Sequence, residues 1–90
     1  MGDMLNVKYE GQYREYYCSK CGELLAEVHE SGSGVAYTPC QHFTREIISI
    51  DCYYKEFEEC NPEEIDELRE NAILKVFNGS TVYLLIPKQI

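Results

Sequence analysis

The sequence predicts an α+β fold in which a mostly antiparallel β-sheet is covered by one α-helix. Three observations support this prediction. Most apolar segments alternate with a period of two, which is typical of half-buried strands. One segment, residues 61–72, carries the start signals of a helix. The pair Asn78-Gly79 joins the last two apolar segments, as is typical of a β-hairpin. The connections are short, which favours antiparallel pairing.

The first half of the chain contains a tyrosine-rich segment and a hairpin. Residues 7–17 are predicted to be extended, because aromatic side chains favour strands. Residues 23–29 alternate, which places Leu25 on the polar face together with Glu27. A flexible Ser-Gly-Ser-Gly turn connects this segment to the short extended residues 35–38. The two segments therefore predict a hairpin.

The second half begins with another alternating segment, residues 46–54, which we predict to be a strand. The alternation places four side chains on one face: Ile48, Ile50, Cys52 and Tyr54. The last two segments, residues 73–77 and 81–86, predict a C-terminal hairpin. Residues 81–86 are apolar on both faces. They therefore predict either a central strand or a strand whose second face pairs with another copy of the chain.

One helix is predicted over about residues 62–72. Asn61 is a good N-cap, and Pro62 suits the first helical position. Glu64 follows three residues after the cap and favours the positive end of the helix dipole. Ile65 and Leu68 begin an apolar stripe that continues to residue 72. The helix is therefore expected to cover the sheet.

The length of 90 residues suits a single domain, which we predict to span residues 1–90. It would consist of a hairpin region at residues 16–44 and a strand–helix–hairpin extension at residues 45–90. A domain of this size buries a modest share of its surface, so a metal ion or covalent bridge would help to hold it together.

Composition and terminus suggest a location for the protein. No apolar run approaches the length needed to cross a bilayer. Met1–Asn6 lacks the basic and apolar regions of a signal peptide. We therefore expect a cytoplasmic protein in a reducing compartment. The chain has five cysteines, an odd number, which fits metal ligands plus spare thiols better than a closed set of disulfides.

Two short motifs carry the clearest chemical signal. Cys18 and Cys21 form a Cys-x-x-Cys pair on one tight turn, and Cys40 and His42 form a second pair beyond the predicted hairpin. A hairpin returns the chain to the end from which it left, so the two pairs should meet. Three thiolates and an imidazole match the tetrahedral preference of Zn²⁺. We therefore predict one structural zinc ion held by Cys18, Cys21, Cys40 and His42.

More than one residue could supply the fourth ligand. His42 lies on the same turn as Cys40, but the two side chains can converge only if the backbone bends between them. Three other residues compete for the position: His29, Cys52 and Cys60. The alternative roles for the last two are a small core residue at Cys52 and an inert, partly buried thiol at Cys60.

Because of these two pairs, residues 16–44 resemble the zinc ribbons, a broad family of small β-hairpin zinc modules. The resemblance rests on Cys18-Ser-Lys-Cys21-Gly22 and Cys40-Gln-His42-Phe43. Zinc ribbons usually carry a second Cys-x-x-Cys where this chain has the shorter Cys-x-His. The family serves in transcription, RNA processing and protein docking, so the resemblance implies a fold and a metal rather than one activity.

The net charge is −8, and residues 56–70 alone account for −7 of it. This acidic stretch would attract a basic partner. The chain also has eight tyrosines, more than a small core buries easily. We therefore predict a structural-zinc protein that acts as a protein–protein interaction module, with a protein partner or a second copy of itself.

Two other functions compete with this prediction. Lys8, Arg14 and Lys20 are interleaved with tyrosines, a pattern typical of single-strand nucleic-acid binders, although nearby glutamates offset the charge. A zinc-dependent enzyme is the lesser alternative. Neither a catalytic triad, a phosphate loop nor a metalloprotease helix appears in the sequence, so no catalytic residue is predicted.

Overall fold

The computed structural model describes residues 4–56 and 60–88, which form two antiparallel sheets and two helices. The first sheet has four strands in chain order: β1 (Leu5–Glu10), β2 (Tyr13–Cys18), β3 (Leu24–His29) and β4 (Gly34–Ala36). The second sheet is built from β5 (Phe43–Ser49), β6 (Leu74–Asn78) and β7 (Thr81–Pro87), in the order β5-β7-β6. The helices are α1 (Ile50–Tyr53) and α2 (Pro62–Asn71). The predicted α+β class is confirmed.

Strand β7 lies at the centre of the molecule and has both faces covered. Tyr83 and Leu85 face the first sheet and pack in its two core clusters. Val82 and Leu84 face the other way and pack against residues of α1 and α2. The second sheet is therefore the middle of three layers. Of the two arrangements predicted for residues 81–86, the structure adopts the central strand.

The first sheet departs from the predicted alternation at Leu25. The pairing of β2 with β3 shifts between Tyr16 and Tyr17, so that the regular register is interrupted by a bulge at this point of β3. A bulge lets two successive side chains point to the same side of a sheet. Leu25 and Ala26 are consequently both fully buried, and the prediction that Leu25 shares the polar face with Glu27 is wrong.

The predicted strand at residues 46–54 is also wrong in its second half. Strand β5 ends at Ser49, whose hydroxyl accepts a hydrogen bond from the backbone N–H of Cys52 at 3.2 Å. This bond caps the single helical turn α1, which turns the chain away from the sheet. Cys52 and Tyr54 therefore do not continue the face that begins at Ile48.

Helix α2 begins and ends where the sequence predicts. The Asn61 side chain accepts hydrogen bonds from the backbone N–H groups of Glu63 at 3.0 Å and Glu64 at 3.4 Å. Pro62 occupies the first turn, and Ile65 is buried against the core. No helix among residues 4–56 and 60–88 is long and apolar enough to cross a membrane. Within the acidic stretch, Glu58 and Glu59 lie outside the described residues.

The two sheets approach most closely where β4 meets β6. A Cβ atom on Gly34 would clash with the carbonyl oxygen of Glu27 and would lie 2.9 Å from Cα of Val28, so only glycine fits there. The Asn78 side chain donates a hydrogen bond to the Gly34 carbonyl at 2.9 Å. Arg45 donates a second hydrogen bond to β4, at the Ala36 carbonyl, at 2.6 Å. These contacts fix the first sheet against the second.

Candidate metal centre

The first pair of candidate ligands lies on a tight turn at the end of β2. Cys18 is the last residue of that strand, and its carbonyl accepts a hydrogen bond from the N–H of Gly22 at 2.8 Å. Gly22 has φ +78°, a left-handed conformation that most side chains disfavour. The N–H of Cys18 then bonds to the carbonyl of Glu23 at 2.9 Å, which closes the turn. Cys21 is thereby brought back beside Cys18.

The second pair lies on a turn that leads into β5. The N–H of Phe43 donates to the carbonyl of Cys40 at 3.2 Å, so the backbone bends between Cys40 and His42. This is the bend that a Cys-x-His pair requires if both side chains are to point at one centre. The carbonyl of His42 accepts a hydrogen bond from the N–H of Lys88 at 2.9 Å, which ties the turn to the end of β7.

The hairpin of β3 and β4 brings these two turns together, as predicted. Ala26 pairs with Ala36, and the N–H of Tyr37 bonds to the carbonyl of Leu25 at 2.9 Å. The chain therefore returns to the end of the first sheet from which it left at Gly22. The pairs meet at the corner where the first sheet gives way to the second.

The ligand atoms of Cys18, Cys21, Cys40 and His42 all lie within 4.8 Å of one another. Nδ1 of His42 is 3.4 Å from Sγ of Cys18 and 3.6 Å from Sγ of Cys40. Tetrahedral zinc with ordinary Zn–S and Zn–N bond lengths would separate sulfur and nitrogen ligands by roughly 3.5 Å. These two separations match edges of a coordination tetrahedron, and the group has the donor set to hold a metal ion.

The thiols of this group do not share one environment. Burial raises the pKa of Cys18, but the backbone N–H groups of Cys21 and Lys20, together with the neighbouring thiols, favour its thiolate and lower the pKa overall. Burial also raises the pKa of Cys40, to about 11. The adjacent thiols add to this rise, whereas the hydrogen bond from the backbone N–H of His42 opposes it. A metal ion would therefore have to displace a proton from Cys40.

The site covers one of the core clusters of the protein. Cys18 is 1% exposed and packs with Leu25, Phe43 and Leu85, while Cys40 is partly buried against the same cluster. Cys21 is exposed on the solvent side. A metal ion held here would have apolar side chains on its inner side and would join the end of β2 to the start of β5.

His29, the first competitor for the fourth position, is not part of this group. Its Nδ1 bonds to the Ser31 hydroxyl at 2.9 Å and its Nε2 to Oε1 of Gln12 at 3.2 Å. Its ring also packs edge-on against Tyr13, with the centroids 5.0 Å apart. His29 ends β3, whereas the metal group lies at the opposite end of that strand. Of the histidines, the structure brings only His42 to the three thiols.

The other two competitors, Cys52 and Cys60, form a disulfide with a Cα–Cα distance of 5.5 Å. The predictions of a small core thiol at Cys52 and an inert thiol at Cys60 are therefore wrong. The bridge joins α1 to the residue that precedes the N-cap of α2. The sequence did hold a signal for it. Once three cysteines are assigned to the metal, the remainder is a pair.

Comparison with known proteins does not assign this chain to a family. No protein family, curated protein or solved structure matches this chain. The resemblance of residues 16–44 to zinc ribbons therefore depends on the residues themselves, and membership of that family stays a prediction.

Proposed function

We propose that this protein binds one Zn²⁺ ion through Cys18, Cys21, Cys40 and His42, and that the ion is structural. A single observation supports the proposal, namely four soft donor atoms that lie within 4.8 Å of one another on two separate turns. Three sulfurs and one nitrogen form a donor set typical of structural zinc. Harder cations such as Mg²⁺ and Ca²⁺ prefer oxygen ligands.

The role of the ion follows from the position of the site. Four protein donors fill a tetrahedron, so no coordination position is left for water or substrate. The donors come from both sides of the corner between the two sheets. The bound ion would therefore hold the first sheet on the second and shield the cluster around Phe43 from water.

X-ray absorption spectroscopy of the zinc-loaded protein tests this proposal. We expect a first shell of three sulfurs and one nitrogen, with imidazole scattering that disappears in His42→Ala. A His29→Ala variant is the matched control and should give the wild-type spectrum. A shell with an oxygen ligand in the wild-type protein would indicate an open site and would contradict the structural role.

We further propose that the domain held together in this way serves as a protein–protein interaction module. Four of its eight tyrosines are well exposed: Tyr9, Tyr13, Tyr37 and Tyr54. Tyrosine is enriched at protein interfaces because its ring offers apolar contact area and its hydroxyl a hydrogen bond. Strand β1 is also a free edge of the first sheet, with five of its six residues exposed.

One feature favours the alternative, a nucleic-acid binder. Tyr9 is 73% exposed and lies opposite Arg14 in the pairing of β1 with β2, so a ring and a cation are adjacent. By contrast, Lys8 lies on the other face of the sheet, opposite Glu15. Titration with labelled single-stranded oligonucleotides at low and high salt separates the two functions. Salt-sensitive binding that Arg14→Gln weakens would support the alternative, and its absence at micromolar protein would refute it.

A further inference from the structure

The face of the first sheet that points away from the second sheet, called here the outer face, combines carboxylates with tyrosine rings. Both α1 and α2 pack on the second sheet, so neither covers it. Ala26 and Val28 point inward into the core, which turns Glu27 outward between them. Among the side chains that the strand register places on this face are Lys8, Glu10, Tyr13, Glu15, Tyr17, Glu27 and His29, with Tyr37 at its edge.

Two carboxylates stand directly opposite each other on this face. Glu15 on β2 pairs with Glu27 on β3 in the register of the sheet. Both side chains are half-buried. Like charges in directly opposite positions destabilise a sheet. The arrangement is therefore unfavourable to the folded chain on its own.

Two phenols surround this carboxylate pair. The Tyr17 hydroxyl donates a hydrogen bond to Glu15 at 3.1 Å, and the Tyr37 hydroxyl donates one to Glu27 at 3.1 Å. Burial and these hydrogen bonds raise the pKa of both tyrosines, and the charges of Glu15 and Glu27 contribute to the shift. The hydrogen bonds satisfy one oxygen of each carboxylate but bring no positive charge.

Neither carboxylate makes an ion pair within the described part of the chain. The ion pair found there, Lys55 with Asp66, lies on the helical side of the molecule. Lys8 is the register neighbour of Glu15, yet its ammonium group makes no ion pair with that carboxylate. The outer face thus presents negative charge and aromatic rings, and a positive charge from another molecule would complement it.

We propose that the outer face binds an arginine side chain from a basic segment of a partner protein, with the guanidinium held by Glu15 and Glu27. This inference rests on the proposed interaction function and names the surface and the chemistry of its partner. Arginine fits better than lysine because its planar group donates several hydrogen bonds to two carboxylates at once and stacks on aromatic rings. Tyr17 and Tyr37 supply such rings beside the two carboxylates.

Fluorescence anisotropy with a labelled ten-residue peptide of alternating arginine and serine tests the proposal. The protein is used zinc-loaded and at full length, and zinc content and circular dichroism are recorded for every variant. We expect binding that weakens by about tenfold or more in Glu15→Gln/Glu27→Gln. The matched control, Glu67→Gln/Glu70→Gln, removes the same charge from the exposed face of α2 and should change the affinity less than about twofold.

Four outcomes would overturn the proposal. These are no binding to the wild-type protein, equal weakening in the two double variants, equal affinity for a lysine–serine peptide, or a change of oligomeric state in Glu15→Gln/Glu27→Gln. The last would identify a second copy of the chain as the occupant. Because zinc content is measured separately, a protein that keeps its zinc and binds no peptide refutes this inference and leaves the structural-zinc proposal intact.

Thermal stability tests the repulsion between the two carboxylates in the free protein, without any peptide. If the opposed carboxylates repel each other in the free protein, Glu27→Gln should raise the melting temperature by about 1–4 °C. Glu67→Gln should leave it within about 1 °C. A lower melting temperature for Glu27→Gln would show that the pair is not strained and would contradict the argument for a missing cation.

Discussion

Two regions of the molecule use cysteine in opposite ways. At the corner between the sheets, Cys18, Cys21 and Cys40 remain thiols beside His42. On the helical side, Cys52 and Cys60 are joined as a disulfide. The first region has the donor set to hold a metal ion, whereas the second is closed by a covalent bond. The contrast shows that the position of the neighbouring side chains decides whether a cysteine remains a thiol or forms a disulfide.

We expect the two regions to stabilise different parts of the fold. A metal ion at the first region would join two sheets through pairs of ligands that lie far apart in the chain, such as Cys18 and Cys40. The disulfide closes a separation of eight residues between α1 and α2. We therefore expect loss of the metal to affect the whole domain and loss of the disulfide to affect mainly the helical layer.

The largest expected effect comes from Cys18→Ser. This substitution removes a ligand that is 1% exposed. Loss of a group that merely supports a metal ligand costs up to about 100-fold in metal affinity, so loss of the ligand itself should lower zinc affinity by more than about 100-fold. Chelator competition measures the affinity, and circular dichroism should show loss of cooperative unfolding. Ser19→Ala on the same turn is the control and should bind zinc normally. Unchanged affinity in Cys18→Ser would remove Cys18 from the ligand set.

Acidification should act on the metal region alone. Protons bind the free thiols but not the zinc-bound thiolates, so lowering the pH favours the metal-free state. Cys40 has a pKa of about 11 and must therefore lose a proton to bind the metal even at neutral pH. Each thiol that loses a proton should weaken binding by up to about tenfold per pH unit of acidification. Zinc competition at several pH values between 6.5 and 8 measures the slope. A slope of zero would be incompatible with thiolate ligands.

Removal of the disulfide should have a smaller, separable effect. In the double variant Cys52→Ala/Cys60→Ala, the unfolded chain gains the freedom of a short loop, which should lower stability by about 2–3 kcal/mol. For a domain of this size, that corresponds to a fall of roughly 10–20 °C in melting temperature. Calorimetry measures the shift, and mass spectrometry should still find bound zinc. Loss of zinc in this variant would show that the two regions are coupled.

The smallest expected effect concerns the cap beside the disulfide. Asn61→Ala removes the acceptor for two backbone N–H groups and should destabilise the protein by about 1 kcal/mol. Asn71→Ala at the other end of α2 is the control, because its exposed side chain makes no hydrogen bond within the described residues. Thermal denaturation compares the two variants. Equal melting temperatures would mean that the cap contributes nothing to the folded state.

The metal region was predictable because its information is local. Each half of the site is a pair of ligands within three residues, and the hairpin between the halves carries its own alternation and turn signals. Helix α2 and the C-terminal hairpin were predictable for the same reason. Only the fourth ligand required the structure, because the bend between Cys40 and His42 depends on the turn that starts β5.

The helical turn that carries Cys52 was not predictable because its information is not local. Residues 46–54 alternate as a strand would, but the Ser49 cap and the bond from the N–H of Ile50 to the carbonyl of Ser80, at 2.7 Å, start a helical turn instead. Cys52 reaches Cys60 only because of that turn. The bulge that buries Leu25 is similar, since it arises from the pairing of β2 with β3 and leaves no mark in the alternation.

Native mass spectrometry with and without a chelator tests the central claim most directly. The account predicts one zinc ion per chain and an intact disulfide. It also predicts that the chain unfolds when a chelator removes the ion, so that the compact charge-state distribution is lost. The mass should remain two hydrogens lower than that of the fully reduced chain, because the Cys52–Cys60 disulfide stays intact. A chain that carries no zinc after purification with added zinc, or that keeps its compact distribution after the ion is removed, would contradict a structural metal centre.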